Sequence, residues 1–274
     1  MTASAPANNQ IALLLGKPLV RESVLAEVVE RLHRLTPTII LHHASKQGAI
    51  PELLFRSSLV VQRGLNLAQL DAATPLERAG VRCCNRIAAT VASSNRAGLL
   101  DSLSAVGVRV PETSSVQTWP KVLEISRQRA LVVKRADGSV GRGQLVVIAV
   151  DGKLPAESPF RGPYAVQEYI PNNGTVQKLY VAGNQVRGLI KNALPERGSV
   201  DPGIPFDVDA DLKALARRCS SALDLEIAGV DVLQADDGPC VIDVNPFPGF
   251  RHVPDGARLI AGHLASLVVD TNAG

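Results

Sequence analysis

Two carboxylates and an amide interrupt the otherwise hydrophobic stretch Gly229–Phe250, and their spacing is suited to holding a hard cation. The arms Ile227–Leu233 and Cys240–Val244 are rich in Val and Ile and flank Asp236-Asp237-Gly238-Pro239, so they predict an antiparallel hairpin with a turn between. Side chains alternate along a strand, which sends Asp243 and Asn245 to one face. If the register sets Asp231 opposite them, three oxygen donors converge. Mg²⁺ takes oxygen ligands at about 2.0–2.1 Å and leaves positions for water and substrate phosphates, so three protein donors suffice. Alternation alone also allows Asp243 and Asn245 to line the solvent face of an amphipathic strand.

Two further stretches carry matching chemistry. Lys134 ends an apolar strand, Leu131–Lys134, and precedes a turn containing Gly138, Ser139, Gly141 and Gly143. Glycines let backbone N–H groups approach phosphate oxygens, and a lysine neutralises their charge. A glycine hairpin beside a surface lysine has the same appearance. Further on, Gln167, Glu168, Tyr169 and Ile170 could form an extended linker between two lobes, where backbone groups can pair with the edge of an adenine. Lys178 and Lys191 then sit on successive strands joined by Gly183-Asn184, where both can point into one cleft or lie on the surface.

The elements that must position these residues follow from periodicity. Short apolar runs alternate with amphipathic segments: Ile11–Leu15, Glu22–Leu35, Thr38–Leu41, Leu59–Val61, Leu67–Ala79 and Val81–Cys83. That order predicts a small parallel sheet covered by helices. Gly16-Lys17-Pro18 lacks a phosphate-loop pattern and reads as a strand-to-helix turn. His42-His43 reads as polar lining at a strand end. Ser93 or Ser94 can cap a helix bearing Leu99, Leu100 and Leu103 that ends at Gly107. A strand at Thr113–Gln117, a helix at Trp119–Arg129, a loop at Pro202–Asp209, and helices at Ala210–Leu223 and Gly256–Val269 complete the pattern. The expected division is a loose tail at 1–10, an α/β domain at 11–85, a central subdomain at 86–168 and a C-terminal subdomain at 169–274.

Composition excludes several classes. Hydrophobic residues make up 46% and charged residues 20%, which is ordinary for a globular chain. A formal charge of +3 with 3% aromatics offers neither the basic stripe nor the stacking platform of a nucleic-acid binder. No apolar run reaches the roughly 18 residues of a membrane helix, and no secretion signal opens the chain, so a soluble, cytoplasmic protein is expected. Cys83, Cys84, Cys219 and Cys240 lack Cys-x-x-Cys spacing and neighbouring His, which predicts reduced thiols and no zinc site.

With these stretches in order, residues from about Asn85 to Val269 resemble the ATP-grasp superfamily, an α/β (α+β) fold preceded by a small N-terminal α/β (pre-ATP-grasp) domain. Gly138-Ser-Val-Gly-Arg-Gly143, Gln167-Glu-Tyr-Ile170, Ala228-Gly-Val-Asp231 and Val244-Asn-Pro246 resemble the ribosomal-protein glutamate ligases (RimK-like), which join a carboxylate to an amine through an acyl phosphate. Gln177–Gly183, Ala193-Leu-Pro195, Val241–Asn245 and Phe247-Pro-Gly-Phe250 resemble inositol trisphosphate kinases of the same fold. The resemblance implies ATP and Mg²⁺, with Mn²⁺ as a substitute. It places the metal on Asp231, Asp243 and Asn245; phosphate on Arg96, Lys134, Lys178 and the glycine loop; adenine on Gln167–Ile170; and the transferred phosphate or acceptor on Lys191 and Arg251.

The partners implied are small-molecule or peptide carboxylates and amines, without nucleic acid or membrane, and a homo-oligomer is compatible. A polyol kinase and an inactive nucleotide-binding protein are the alternative outcomes. Arg96 stands where these ligases generally carry Lys, Asp243 is shorter than their usual Glu, and Lys191 replaces a common Arg.

Overall fold

The computed structural model describes residues 10–35, 39–44, 49–136, 147–150, 153–194 and 200–270. Strand β1 (Ile11–Leu15) is buried along its whole length, and a strand covered on both faces cannot alternate with polar residues. It pairs in parallel with β2 (Ile39–His43) and β3 (Leu59–Arg63), and β3 pairs in parallel with β4 (Cys83–Cys84). The sheet order is β2-β1-β3-β4. Helix α1 (Val24–His33) starts where the Ser23 hydroxyl accepts from Ala26 N at 3.2 Å, and it turns Leu25, Val28, Val29 and Leu32 inward. Helix α2 (Leu67–Arg78) opens with a capping box in which Asn66 and Gln69 exchange side-chain and backbone hydrogen bonds, each 2.9 Å.

Two helices follow, α3 (Ile87–Ala92) and α4 (Arg96–Ala105). The cap of α4 is Asn95, whose side chain accepts from Gly98 N at 3.2 Å, and not Ser93 or Ser94 as the sequence suggested. Those two serines donate back to the carbonyls of Ala89 and Val91, closing the preceding helix. Strand β5 (Thr113–Val116) leads to α5 (Trp119–Ser126), a turn shorter than expected, and then to β6 (Leu131–Arg135), β7 (Val147–Ala149) and β8 (Tyr164–Glu168). These strands form an antiparallel sheet in the order β5-β8-β6-β7.

The last sheet is antiparallel and five-stranded, β11-β10-β9-β12-β13. Its members are β9 (Thr175–Ala182), β10 (Gln185–Asn192), β11 (Ile204–Phe206), β12 (Ile227–Ala235) and β13 (Gly238–Pro246). β11 falls where a loop was expected; its three residues Ile-Pro-Phe pair with β10 at the sheet edge, where a proline is tolerated. Helix α6 (Ala210–Ala222) begins at Asp209, which accepts from Leu212 N at 2.7 Å, and α7 (Gly256–Asp270) closes the chain order.

Two packing arrangements cut across the expected division. Leu99, Leu100 and Leu103 of α4 share a core with Leu179, Val181 and Val230 of the five-stranded sheet. Leu259, Ile260, Leu264 and Leu267 of α7 share one with Ile11, Leu13, Val28 and Leu32 near the start of the chain. Among the described residues, no helix is long and apolar enough to cross a membrane.

Candidate active site

The hairpin register decides whether the three oxygen donors meet. Asp231 on β12 lies directly opposite Asp243 on β13, so both project from one face, and Asn245 follows two residues on. On its other side Asp231 faces Lys178 of β9, with Lys178 Nζ 3.0 Å from a carboxylate oxygen. Lys178 pairs with Leu189 across β9 and β10, and Lys191, two residues beyond Leu189, therefore shares the face. The sheet thus gathers Lys178, Lys191, Asp231, Asp243 and Asn245 on one surface.

Two cations reach this surface from other elements. Arg96, the first residue of α4 and 6% exposed, donates from Nη1 to Asp243 Oδ1 at 2.9 Å. Its backbone N–H bonds Ala136 O at 3.3 Å, tying the helix start to the end of β6. Lys134, on β6, donates to the carbonyl of Ile242 at 3.4 Å. That carbonyl is exposed by a bulge: Asp231 opposes Asp243 while Val232 opposes Val241, so Ile242 is skipped in the ladder. The cross-strand pairs Val132–Gln167 and Lys134–Ala165 put Gln167 on the same face of the four-stranded sheet as Lys134, so the site lies between the two antiparallel sheets.

Electrostatics follow from burial. Taking the Lys134 ammonium out of water lowers its pKa, only partly opposed by the charge of Asp243. Burial likewise pushes the Asp231 carboxyl up, and the neighbouring Asp243 adds to this while Lys178 pulls it down. Burial alone would lower Lys178, but the contact with Asp231 outweighs it and raises the value. Among the described residues, the carboxylates facing Arg96, Lys134 and Lys178 are Asp231 and Asp243, three cations to two anions. Lys191 donates to Asp201 O at 2.9 Å, and its pKa is lowered by burial and then by Lys178. Arg251 is exposed and near enough to act electrostatically on Lys191.

The donor set fits a divalent cation. It offers hard oxygens from Asp231 and Asp243 and an amide oxygen from Asn245, whose Nδ2 stands at 3.5 Å from Asp243 Oδ2, at the limit of a hydrogen bond. The surrounding ammonium and guanidinium groups suit the phosphates such a cation would carry.

The linker expectation needs correction. Gln167 and Glu168 are strand residues, paired with β5 and β6. The Glu168 N–H is taken by Glu112 O at 2.8 Å and that of Tyr169 by Ala130 O at 3.2 Å, so neither amide is available to an adenine. The amide of Ile170, buried just past the strand, donates to none of the described residues. Glu168 is exposed. Gly138, Ser139, Gly141 and Gly143 lie outside the described residues.

Residues 106–266 match the model of the RimK-like ATP-grasp domain. The chain belongs to the RimK-like ATP-grasp family. Among curated relatives, a probable alpha-L-glutamate ligase of Saccharophagus degradans is 28% identical over 213 residues, covering 72% of this chain and 70% of that protein. One of Shewanella loihica is 30% identical over 195 residues, covering 65% of this chain and 63% of that protein.

The fold is shared with a RimK domain ATP-grasp protein of Sphaerobacter thermophilus, with a TM-score of 0.71, 22% identity, and 95% of this chain and 99% of that one covered. It is shared also with the ATP-grasp ligase PsnB complexed with minimal precursor, Mg and ADP, with a TM-score of 0.68, 17% identity, and 98% and 99% covered. The RimK-like match begins after the parallel sheet, whereas the structural likeness takes that sheet in as well.

The cysteines are buried free thiols, yet one acquires a partner set that linear spacing hides. Cys84, Glu226 and His263 bring their ligand-type atoms within 4.8 Å of one another. His263 Nε2 and Glu226 Oε2 are 3.0 Å apart, tying α7 to the start of β12. The adjacent Asn85 completes the junction by exchanging two 2.7 Å hydrogen bonds with the backbone of Ile227.

Proposed function

We propose that this chain is a Mg-ATP-dependent carboxylate–amine ligase. The observation that carries the reading is the cross-strand Asp231–Asp243 pair with Asn245 beside it, ringed by Arg96, Lys134 and Lys178, in a member of the RimK-like ATP-grasp family. The relatives named as glutamate ligases make glutamate the first substrate to test, and PsnB, complexed in another structure with a precursor peptide, makes a peptide partner the second.

A divalent cation, when bound, supplies charge neutralisation at the nucleotide phosphates. Asp231, Asp243 and Asn245 would hold it. Arg96 and Lys178, now paired with those carboxylates, would turn toward phosphate oxygens together with Lys134, whose weak carbonyl contact costs little to break. In the first step a substrate carboxylate oxygen bonds to the γ-phosphorus, the bond from that phosphorus to the bridging oxygen breaks, and ADP leaves. In the second an amine attacks the acyl carbon, phosphate departs, and the nitrogen loses a proton. No protein nucleophile is needed, since positioning and charge neutralisation carry such transfers. Lys191 and Arg251 would steady the transferred phosphate or the acceptor. The buried free thiols suit a reducing, cytoplasmic setting.

The test is ADP and phosphate release from Mg-ATP with amino acids and short peptides, with hydroxylamine as an acyl-phosphate trap and phosphorus NMR of the products. Hydroxamate with free phosphate is expected. Phosphate retained on an alcohol such as an inositol phosphate, without hydroxamate, would replace the ligase by a kinase at the same nucleotide site.

A further inference from the structure

Arg63 ends β3 at the carboxyl edge of the parallel sheet, on the same face as the fully buried Val61. That face packs toward the five-stranded sheet, because Val61 and Leu15 share a core with Tyr180, Phe247 and Phe250. The guanidinium therefore stands at the junction of the two sheets and reaches the segment just after the metal donors. Its Nε donates to Phe247 O at 3.4 Å, and its carbon lies 5.7 Å from the centre of the Phe247 ring. A Cβ built on Gly249 would be 3.5 Å from its Nη2. Phe247 and Phe250 hold left-handed backbone, with φ of 42° and 50°, so the strap that carries this contact is strained.

Among the described residues Arg63 forms no ion pair, and no neighbouring carboxylate offsets the burial that lowers its pKa. A guanidinium has five N–H donors in a fork shaped for a carboxylate, and a single long bond to a carbonyl leaves nearly all of them unused. Arg96 and Lys178 of the site are each matched by a carboxylate, Asp243 and Asp231, and Lys191 by a carbonyl at 2.9 Å, whereas Lys134, assigned above to nucleotide phosphate, has like Arg63 only a carbonyl at 3.4 Å. A partly buried cation without a counter-ion is an unfavourable arrangement for a residue that only braces two sheets, and a suitable one for a residue that receives an anion.

We propose that Arg63 is the anchor for a substrate carboxylate other than the one being activated. The inference rests on the ligase reading and deepens it, since it makes the substrate an amino acid, a dicarboxylate or a peptide with a free carboxylate. Arg63 would hold that group at the sheet junction, two residues past the last metal donor, and so orient the substrate toward the nucleotide.

The test follows the arginine Nε–Hε NMR signals of the whole chain, with the Arg63 signal identified by its loss in Arg63→Lys. With Mg-AMPPNP present, L-glutamate and succinate are expected to move that signal saturably, while succinamide does not. Arg63→Lys should raise the KM for L-glutamate about 10- to 100-fold, the worth of a charged hydrogen-bond pair, and leave the KM for ATP within about twofold. An Arg63 signal unmoved by either acid would overturn the assignment, as would an equal response to inorganic phosphate. So would an Arg63→Lys protein that melts lower but binds both acids as before, because the residue would then be a brace. Failure of Mg-AMPPNP to shift any signal would instead count against the nucleotide site, separately from the response of Arg63 to the acids.

Discussion

Lys134→Met separates a binding residue from a structural one because its two readouts are expected to move in opposite directions. Lys134 is 8% exposed, and among the described residues its side chain makes one hydrogen bond, 3.4 Å to the Ile242 carbonyl. Methionine keeps most of the stem and removes the ammonium. The three cations Arg96, Lys134 and Lys178 then become two against two carboxylates, and the pairs Arg96–Asp243 at 2.9 Å and Lys178–Asp231 at 3.0 Å remain. Burial already disfavours the charged form of Lys134, so the unliganded protein should be unchanged or gain up to about 1 kcal/mol, a rise in Tm of roughly 2–4 °C at this chain length.

Nucleotide binding should weaken instead. A charge-assisted hydrogen bond to phosphate is worth about 1.5–3 kcal/mol, hence about 10- to 150-fold in the Kd for Mg-AMPPNP. Calorimetric titration and a thermal melt of the same preparation give both numbers. A melt several degrees lower with nucleotide affinity unchanged would refute the reasoning and make Lys134 a member of the core.

Three other outcomes follow. Asp243→Asn keeps an acceptor for Arg96 but removes a charged metal ligand, so the Mg²⁺ concentration for half-maximal turnover should rise at least about tenfold with a cooperative denaturant melt retained; an unchanged Mg²⁺ titration would remove Asp243 from the metal set. Gly183→Ala puts a Cβ 2.4 Å from His263 Nδ1 at a residue with φ of 54°, which should cost about 1–3 kcal/mol, and a melt equal to the parent's would show that the turn can give way. Burial pushes the Cys83 and Cys219 thiols up to about 12 and Cys240 up to about 11, and Cys84 is also raised, so at pH 8 the thiolate is about a thousandth or less of each. Iodoacetamide should then label the native protein far more slowly than the denatured one, and the rate should increase as pH rises toward those values; rapid labelling at pH 8 would place a thiol at the surface.

The legible parts of the molecule were those governed by local pattern. Val-Ile alternation around Asp231, Asp243 and Asn245 was enough to predict the hairpin, and the register then brought Asp231 opposite Asp243 as the spacing allowed. Lys178 and Lys191 were legible as residues of successive strands, with one cleft and the surface both open to them, and the pairing of Lys178 with Leu189 is what puts them on one face. What could not be read depends on chain segments far apart. The bulge that frees the Ile242 carbonyl for Lys134 leaves no composition signal. Tyr169 looked like an open linker because nothing local shows that Ala130 takes its amide. Asn95 was passed over for the serines before it, since all three are good caps and tertiary contacts choose among them. Arg63 carries no motif at all; its meaning lies in a carbonyl 184 positions away.

The core shared by α1 and α7 has a consequence for how the molecule can be made. Its two halves, Ile11–Leu32 and Ala257–Val268, are separated by more than two hundred positions, so a growing chain cannot close this core until the α7 residues have left the ribosome. Until then the apolar side of α1 lacks the part of its cover that α7 supplies. A fragment containing the parallel sheet without α7 would expose that side permanently and should associate with itself. Arg63 borders the same core through Phe247, so the junction proposed to receive a substrate carboxylate shares its support with the packing of α1 on α7.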